Sequence, residues 1–226
     1  MMKVPVLVLF LMLSGISEVF AQQNAVSEED KAKYVKIITE RADKIVAVIG
    51  LTDAAKTEKV RNIIRDQYSN LNDIYTVRDA NLKAIKEKNK DDKAVRDTAI
   101  AKENRNTEMA LAKLHKKYIG KLSAQLTTEQ IEGVKNGMTY NVLPLTYKAY
   151  QEEILTLTDA QKAQILVWLT EAREHAIDAE SSDKKHAWFG KYKGRINNYL
   201  SAAGYDLKKE GIEWEKRRKA KAETNN

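Results

Sequence analysis

The run LTDAAKTEKVRNIIRDQYSNLNDIYTVRDANLKAIKEKNKDD, from Leu51 to Asp92, decides the fold. Leu51-Thr52-Asp53 reads as a helix start, with the threonine as cap. Val60, Ile64, Tyr68, Leu71, Tyr75, Leu82 and Ile85 then recur at close to a seven-residue repeat, the apolar stripe of a long helix. Asn89 to Asp92 breaks that pattern with a purely polar block, which predicts a turn. Beyond it Val95, Ile100, Met109, Leu111, Leu114, Tyr118 and Leu122 mark a return helix with a polar middle at Lys102 to Thr107. Each arm of roughly 30 residues would extend about 45 Å. Residues 51–122 are therefore expected to form a long antiparallel helical hairpin, its weakly apolar middle in water, rather than one continuous helix.

Working outward, Lys, Glu and Ala abound, and Pro144 is the only proline after Pro5, so long helices are expected throughout. Ser27 starts a first helix carrying Tyr34, Ile37, Ile38, Ile45 and Val46, and Gly50 should end it. The fold class is all-α, a bundle of six to eight helices. Met1 to Ala21 reads as a secretory signal peptide: Lys3, an apolar core from Val4 to Leu13, and small residues around Ala21. Residues 22–226 then form a single helical domain, expected in the periplasm or outside the cell. No later stretch is apolar over the roughly 20 residues a membrane span requires. The chain has no cysteine, which excludes a disulfide scaffold and lipoprotein anchoring through an N-terminal Cys. The formal charge of +7 suits acidic partners or is simply a solvated surface; export argues against nucleic acid.

Charge, aromatics and amides are densest within residues 144–205, above all in Glu171 to Tyr205, EAREHAIDAESSDKKHAWFGKYKGRINNYLSAAGY. Before it, Pro144 opens a helix carrying Tyr147, Tyr150 and Ile154 on one face. A helix from Thr158 to about Ala179 packs Gln161, Ile165, Trp168, Leu169, Ala172 and Ala176. Its opposite side carries Glu171, Glu174 and Asp178 as a solvated acidic face, with Arg173 and His175 to either side. Ser181 to Asp183 cap the next helix, whose stripe is Trp188, Tyr192, Ile196 and Tyr199, flanked by Lys191, Arg195 and Asn198. Gly190 and Gly194 are expected to permit close backbone approach, and Asn197-Asn198 to bond through their side chains. Gly204 ends that helix. A last helix from Asp206 to Glu223 holds Leu207, Ile212 and Trp214, its basic tail Lys216 to Lys221 reading as a frayed, solvated end.

Three short signals begin helices: Leu51 to Ala55, LTDAA; Leu126 to Gln130, LTTEQ; and Leu157 to Gln161, LTDAQ. In the last two, threonine caps the third amide and glutamine reaches back to the threonine amide; the first, with Ala55, keeps only the cap. The pattern resembles the LTxxQ periplasmic proteins, small helical chaperones and stress sensors, which implies a client-binding dimer, with the hairpin as a dimer interface. A second resemblance is more specific. The runs PLTYKAY from Pro144, EAREHAIDA from Glu171, KHAWFGKYKGRINNYL from Lys185 and GYDL from Gly204 resemble a family of exported bacterial domains of unknown function. That family occurs in polysaccharide-foraging bacteria and is regarded as sugar-binding, which implies a carbohydrate partner. It carries over no catalytic residue.

Residue chemistry gives the candidate site. Sugars need aromatic faces for their C–H surfaces and amides, guanidinium groups and carboxylates for their hydroxyls. Glu171, Glu174, His186, Trp188, Lys191, Tyr192, Arg195, Asn198 and Tyr199 supply that set, with Lys191 and Arg195 suited to a uronate carboxylate. The expected function is a secreted, non-catalytic carbohydrate-binding or accessory protein of polysaccharide utilisation, its ligand an acidic glycan. A lyase would use His186, Tyr192 and Arg195, and a hydrolase two of Glu171, Glu174 and Asp178. No cofactor is implied. The carboxylates with His175 or His186 show no metal-ligand spacing.

Overall fold

The computed structural model describes residues 27–224. The proposed leader, residues 1–21, lies outside them. Among the described residues the chain is all-α: α1 Glu28–Val46, α2 Ala54–Lys88, α3 Lys93–Ser123, α4 Thr128–Met138, α5 Val142–Glu153, α6 Asp159–Ile177, α7 Ser182–Ala202 and α8 Leu207–Thr224. None of these helices is long and apolar enough to cross a membrane.

The caps explain the boundaries. Ser27 accepts from the Asp30 amide at 3.0 Å, Asp92 from Val95 at 3.0 Å and Ser181 from Lys184 at 3.2 Å. Thr127–Gln130 and Thr158–Gln161 form complete capping boxes. The first LT signal differs from expectation. Asp53, not Thr52, is the cap of α2, its carboxylate accepting the Lys56 amide at 2.6 Å. The α1–α2 turn closes at Gly50, whose φ of +70° a side chain would strain. At the α4–α5 turn Tyr140 and Asn141 take φ of 58° and 56° without being glycine.

α2 and α3 form the expected antiparallel hairpin. Only its base is buried: Val60, Ile64, Gln67 and Leu71 on α2, and Thr107, Tyr118 and Leu122 on α3. Leu71 and Thr107 are the last buried residues towards the tip, Tyr75 and Arg78 still reach Asp178 and Glu180, and beyond them Val95 is exposed, as Val77 is beside them. Amide exchange should therefore show the distal hairpin opening locally, well below the global unfolding energy, while the base exchanges only with the core. Equal protection along both arms would contradict that picture.

Two hydrophobic cores follow. The first joins α1, the hairpin base and α4 through Ala42, Ile45, Val60, Ile64, Tyr118, Leu122, Val134 and Met138. The second joins α5 to α8 through Leu143, Tyr150, Ile154, Ile165, Leu169, Phe189, Tyr192, Ile196 and Leu200. α6 belongs to both: Ala172 and Ala176 pack in the second core, while Ile177 is buried in the first. Close backbone approach occurs between α1 and α4, not at the expected glycines. A methyl group on Gly137 would lie 2.9 Å from Ile45 Cγ1, and one on Gly133 2.9 Å from Ile49 Cγ2, whereas Gly190 and Gly194 face open space. The basic tail is helical, since α8 continues to Thr224, and its Lys216, Arg218, Lys219 and Lys221 are exposed.

Candidate functional site: a polar seam and cleft

Between the two cores runs a seam held by polar groups, with Asp178, the C-cap of α6, at its centre. His115 Nδ1 donates to its Oδ2 at 2.7 Å and Gln67 Nε2 to its Oδ1 at 3.4 Å. The Tyr75 hydroxyl donates to its backbone carbonyl at 2.8 Å. One turn back, both Oε atoms of Glu174 accept from Lys135 Nζ, at 3.1 and 3.0 Å, and one of them lies 3.9 Å from His115 Nε2. Arg173 is 2% exposed and donates to Glu132, Asn136 and Glu174, tying α6 to α4. Arg78 pairs with Glu180 across the same seam.

These pairs overturn the solvated acidic face at Glu174 and Asp178, while Glu171 is exposed as expected. Glu174 and Asp178 are half-buried, and His115 of α3, Lys135 of α4 and Arg173 of α6 lie against them and offset their mutual repulsion. Burial also decides Lys185. It is 5% exposed, caps the last carbonyls of α6 by donating to Ala176 and Ile177 at 2.9 and 2.8 Å, and is pushed down to about 8 by desolvation.

Where the seam opens there is a cleft of about 570 Å³. Tyr75 and Arg78 of α2 and Glu108 and Leu111 of α3 form one wall; Glu174, His175, Asp178, Glu180 and Trp188 form the other. Trp188 is half-buried, and His175 lies flat on it with ring centroids 4.3 Å apart. From there a line of paired side chains continues along the outer groove of α6 and α7. Burial and the neighbouring Glu171 carboxylate raise the Tyr192 pKa, and that carboxylate lies 3.7 Å from Arg195. The Arg195 guanidinium sits 4.6 Å over Trp168, and Trp168 meets Tyr199 edge-on at 5.2 Å.

The expected site residues thus fall into three places. Glu171, Trp188, Lys191, Tyr192, Arg195 and Tyr199 share the α6–α7 line, with Lys191 over the Trp188 ring at 5.1 Å. Tyr192 is the core member of this set, 9% exposed, while Trp188 and Tyr199 are only partly buried against that core. Glu174 lies in the seam, on the other side of α6. His186 joins neither: it stacks on Tyr140, 5.3 Å between centroids, and braces the left-handed α4–α5 turn. Asn198 is exposed, and the amide that bonds is Asn197, whose Oδ1 accepts the Tyr150 hydroxyl at 2.7 Å. Sequence reasoning missed Tyr75, Arg78, Glu108 and His115. The available signal was a polar residue inside an apolar stripe, Gln67 between Ile64 and Leu71 and His115 between Leu111 and Tyr118.

A family model described as a protein of unknown function matches residues 35–220, the hairpin and both cores together. The chain belongs to the DUF3826 family. No curated protein matches it. The seam and the cleft of this DUF3826 protein both lie inside the matched span.

His115 makes the seam sensitive to pH. Its bond to Asp178, then the charges of Asp178 and Glu174, raise its pKa above the ordinary 6.5 against the opposing effect of burial. A histidine whose pKa is raised on folding stabilises fully below its unfolded value and loses that contribution as pH rises through the folded value. Urea unfolding of wild type and His115→Gln should therefore differ most near pH 6, with the difference shrinking as pH rises from about 6.5. A pH-independent difference would show that folding does not raise the His115 pKa.

Proposed function

We propose that this DUF3826 protein is a non-catalytic carbohydrate-binding protein, exported to act in polysaccharide utilisation, and that the seam cleft holds its ligand. The observation that carries this reading is the stacked Trp188–His175 pair at the mouth of a 570 Å³ cleft rich in acceptors. That volume suits a small ligand. Aromatic edges and faces take the C–H surface of a sugar ring, and carboxylates accept from its hydroxyls. The lining carboxylates Glu108, Glu174, Asp178 and Glu180 outnumber the lining cations Arg78 and Lys184. A neutral saccharide therefore suits this cleft better than a uronate. The line from Tyr192 to Trp168 and Tyr199 would extend the contact to a longer chain.

Calorimetric titration with neutral oligosaccharides tests the reading. Trp188→Ala should weaken binding tenfold or more, about 1.4 kcal/mol, and Glu180→Gln should weaken it as well. Binding by neither wild type nor variant, or binding untouched by Trp188→Ala, overturns it. A second reading, a glycan-active lyase or hydrolase, draws on the His115–Asp178 pair beside Glu174, since a histidine oriented by a carboxylate is a familiar general base. Product formed in the same titrations, and lost in His115→Gln, would favour it. The two intact LTxxQ signals are accounted for by local capping and lend the chaperone reading no separate support.

A further inference from the structure

The seam cleft is acidic, yet the chain carries a formal charge of +7, so the basic charge is concentrated elsewhere. Much of it lies on α8, where residues 216–221, KRRKAK, hold five cations and no anion. This helix packs on α5, and between its last turns and the end of α5 lies a groove of about 520 Å³. Trp214, Arg217 or Arg218, and Lys221 line it from α8, one helical turn apart, about 5.4 Å each. Leu155, 67% exposed, lines the other side; among the described residues Glu152 is the one carboxylate in the lining, and Glu215 lies 3.8 Å from Arg218. Arg217 is fixed in place because one of its amino groups donates to the carbonyls of Glu152 and Glu153, both at 2.9 Å. The Arg218 guanidinium is held over Trp214 at 5.1 Å.

We propose that this α5–α8 groove is a second binding site, for a polyuronate chain, independent of the seam cleft. Arg217 with Arg218, and Lys221 one turn on, offer two cationic positions along a groove, which suits a polymer presenting more than one carboxylate along its length. Guanidinium groups take carboxylates in bidentate fashion and lose little freedom when already held flat. Trp214 and Leu155 supply an apolar surface for the C–H faces of the ring bodies between those carboxylates. An anionic membrane fits less well. The cations face a concavity rather than a plane, and of the large apolar residues of α8 Ile212 is exposed while Leu207 and Trp214 are partly buried.

The test is titration of the full exported chain with oligogalacturonate, dextran sulfate and phosphatidylglycerol vesicles, at low and at physiological salt. Wild type should bind oligogalacturonate, Arg218→Gln/Lys221→Gln should bind it at least tenfold more weakly, and Trp214→Phe should weaken it less than Trp214→Ala. Trp188→Ala should leave this binding unchanged, which separates the groove from the seam cleft. Oligogalacturonate binding unaffected by the Arg218→Gln/Lys221→Gln change would overturn the proposal. So would dextran sulfate bound as tightly with no dependence on Trp214, which would mean plain charge attraction. Vesicles bound in place of oligogalacturonate would overturn it too.

Discussion

Replacing Arg173 with alanine should destabilise the protein by about 3 kcal/mol, the low end of what removing one partner of a buried ion pair costs. Arg173 is among the largest fully buried side chains, and its guanidinium joins α6 to α4, the helices at which the two cores meet. Its loss would leave Asn136, Glu132 and Glu174 facing a cavity. The effect stays at the low end because those carboxylates are not themselves dry. Glu132 is 44% and Glu174 33% exposed, and Lys135 still reaches them at 3.6 and 3.0 Å. Arg173 also carries a buried Nε with no partner, so the native arrangement is itself imperfect. Arg173→Met, which fills the space and removes that orphan donor, should be less harmful than alanine. In a chain of this length the alanine variant should melt roughly 6–12 °C lower. Urea denaturation of both variants checks this, and a loss under about 1 kcal/mol for alanine would show that the joint does not depend on the guanidinium.

The second large effect contrasts two glycines in helices. Gly137→Ala should destabilise by about 1–3 kcal/mol, as overpacking does. The new methyl would lie 2.9 Å from Ile45 Cγ1 and 3.2 Å from Cγ2, and Ile45 is 5% exposed inside the first core, with little room to yield. Gly194→Ala meets nothing within 4 Å and should stabilise by roughly 0.4–1 kcal/mol, by restricting the unfolded chain and favouring the helix. Opposite signs from the same substitution in one protein are the measurable result. Equal signs would mean that the α1–α4 contact is looser than described.

The hairpin was legible because its information is local. Stripe residues from Val60 to Ile85 repeat within one helix, the polar block at Asn89 to Asp92 has no competing apolar demand, and the caps act over three residues. The α6–α7 line was legible for the same reason, since i+3 and i+4 spacing put Trp188, Tyr192, Arg195 and Tyr199 together. The cleft was not. Its contacts join residues far apart in the chain: His115 to Asp178 across 63 positions, Tyr75 to Asp178 across 103, and Gln67 to Asp178 across 111. Periodicity within one helix says nothing about which helix it will face. Glu174 and Asp178 therefore read as solvent-facing, although the hairpin and α4 supply their cations. The glycines failed for a related reason, because whether a missing side chain matters depends on the neighbouring helix. At Gly190 and Gly194 there is none.

The three tryptophans make the proposed neutral-saccharide site in the seam cleft directly testable. Trp188 lines the cleft, Trp168 lies farther along the α6–α7 line, and Trp214 lines the α5–α8 groove, which shares no lining residue with the cleft. In an NMR titration with neutral oligosaccharides, the Trp188 indole N–H and the His115 and His175 ring signals should move, with Trp214 unmoved. Indole signals that stay fixed throughout the series, or that move at Trp214 while Trp188 does not, would contradict it.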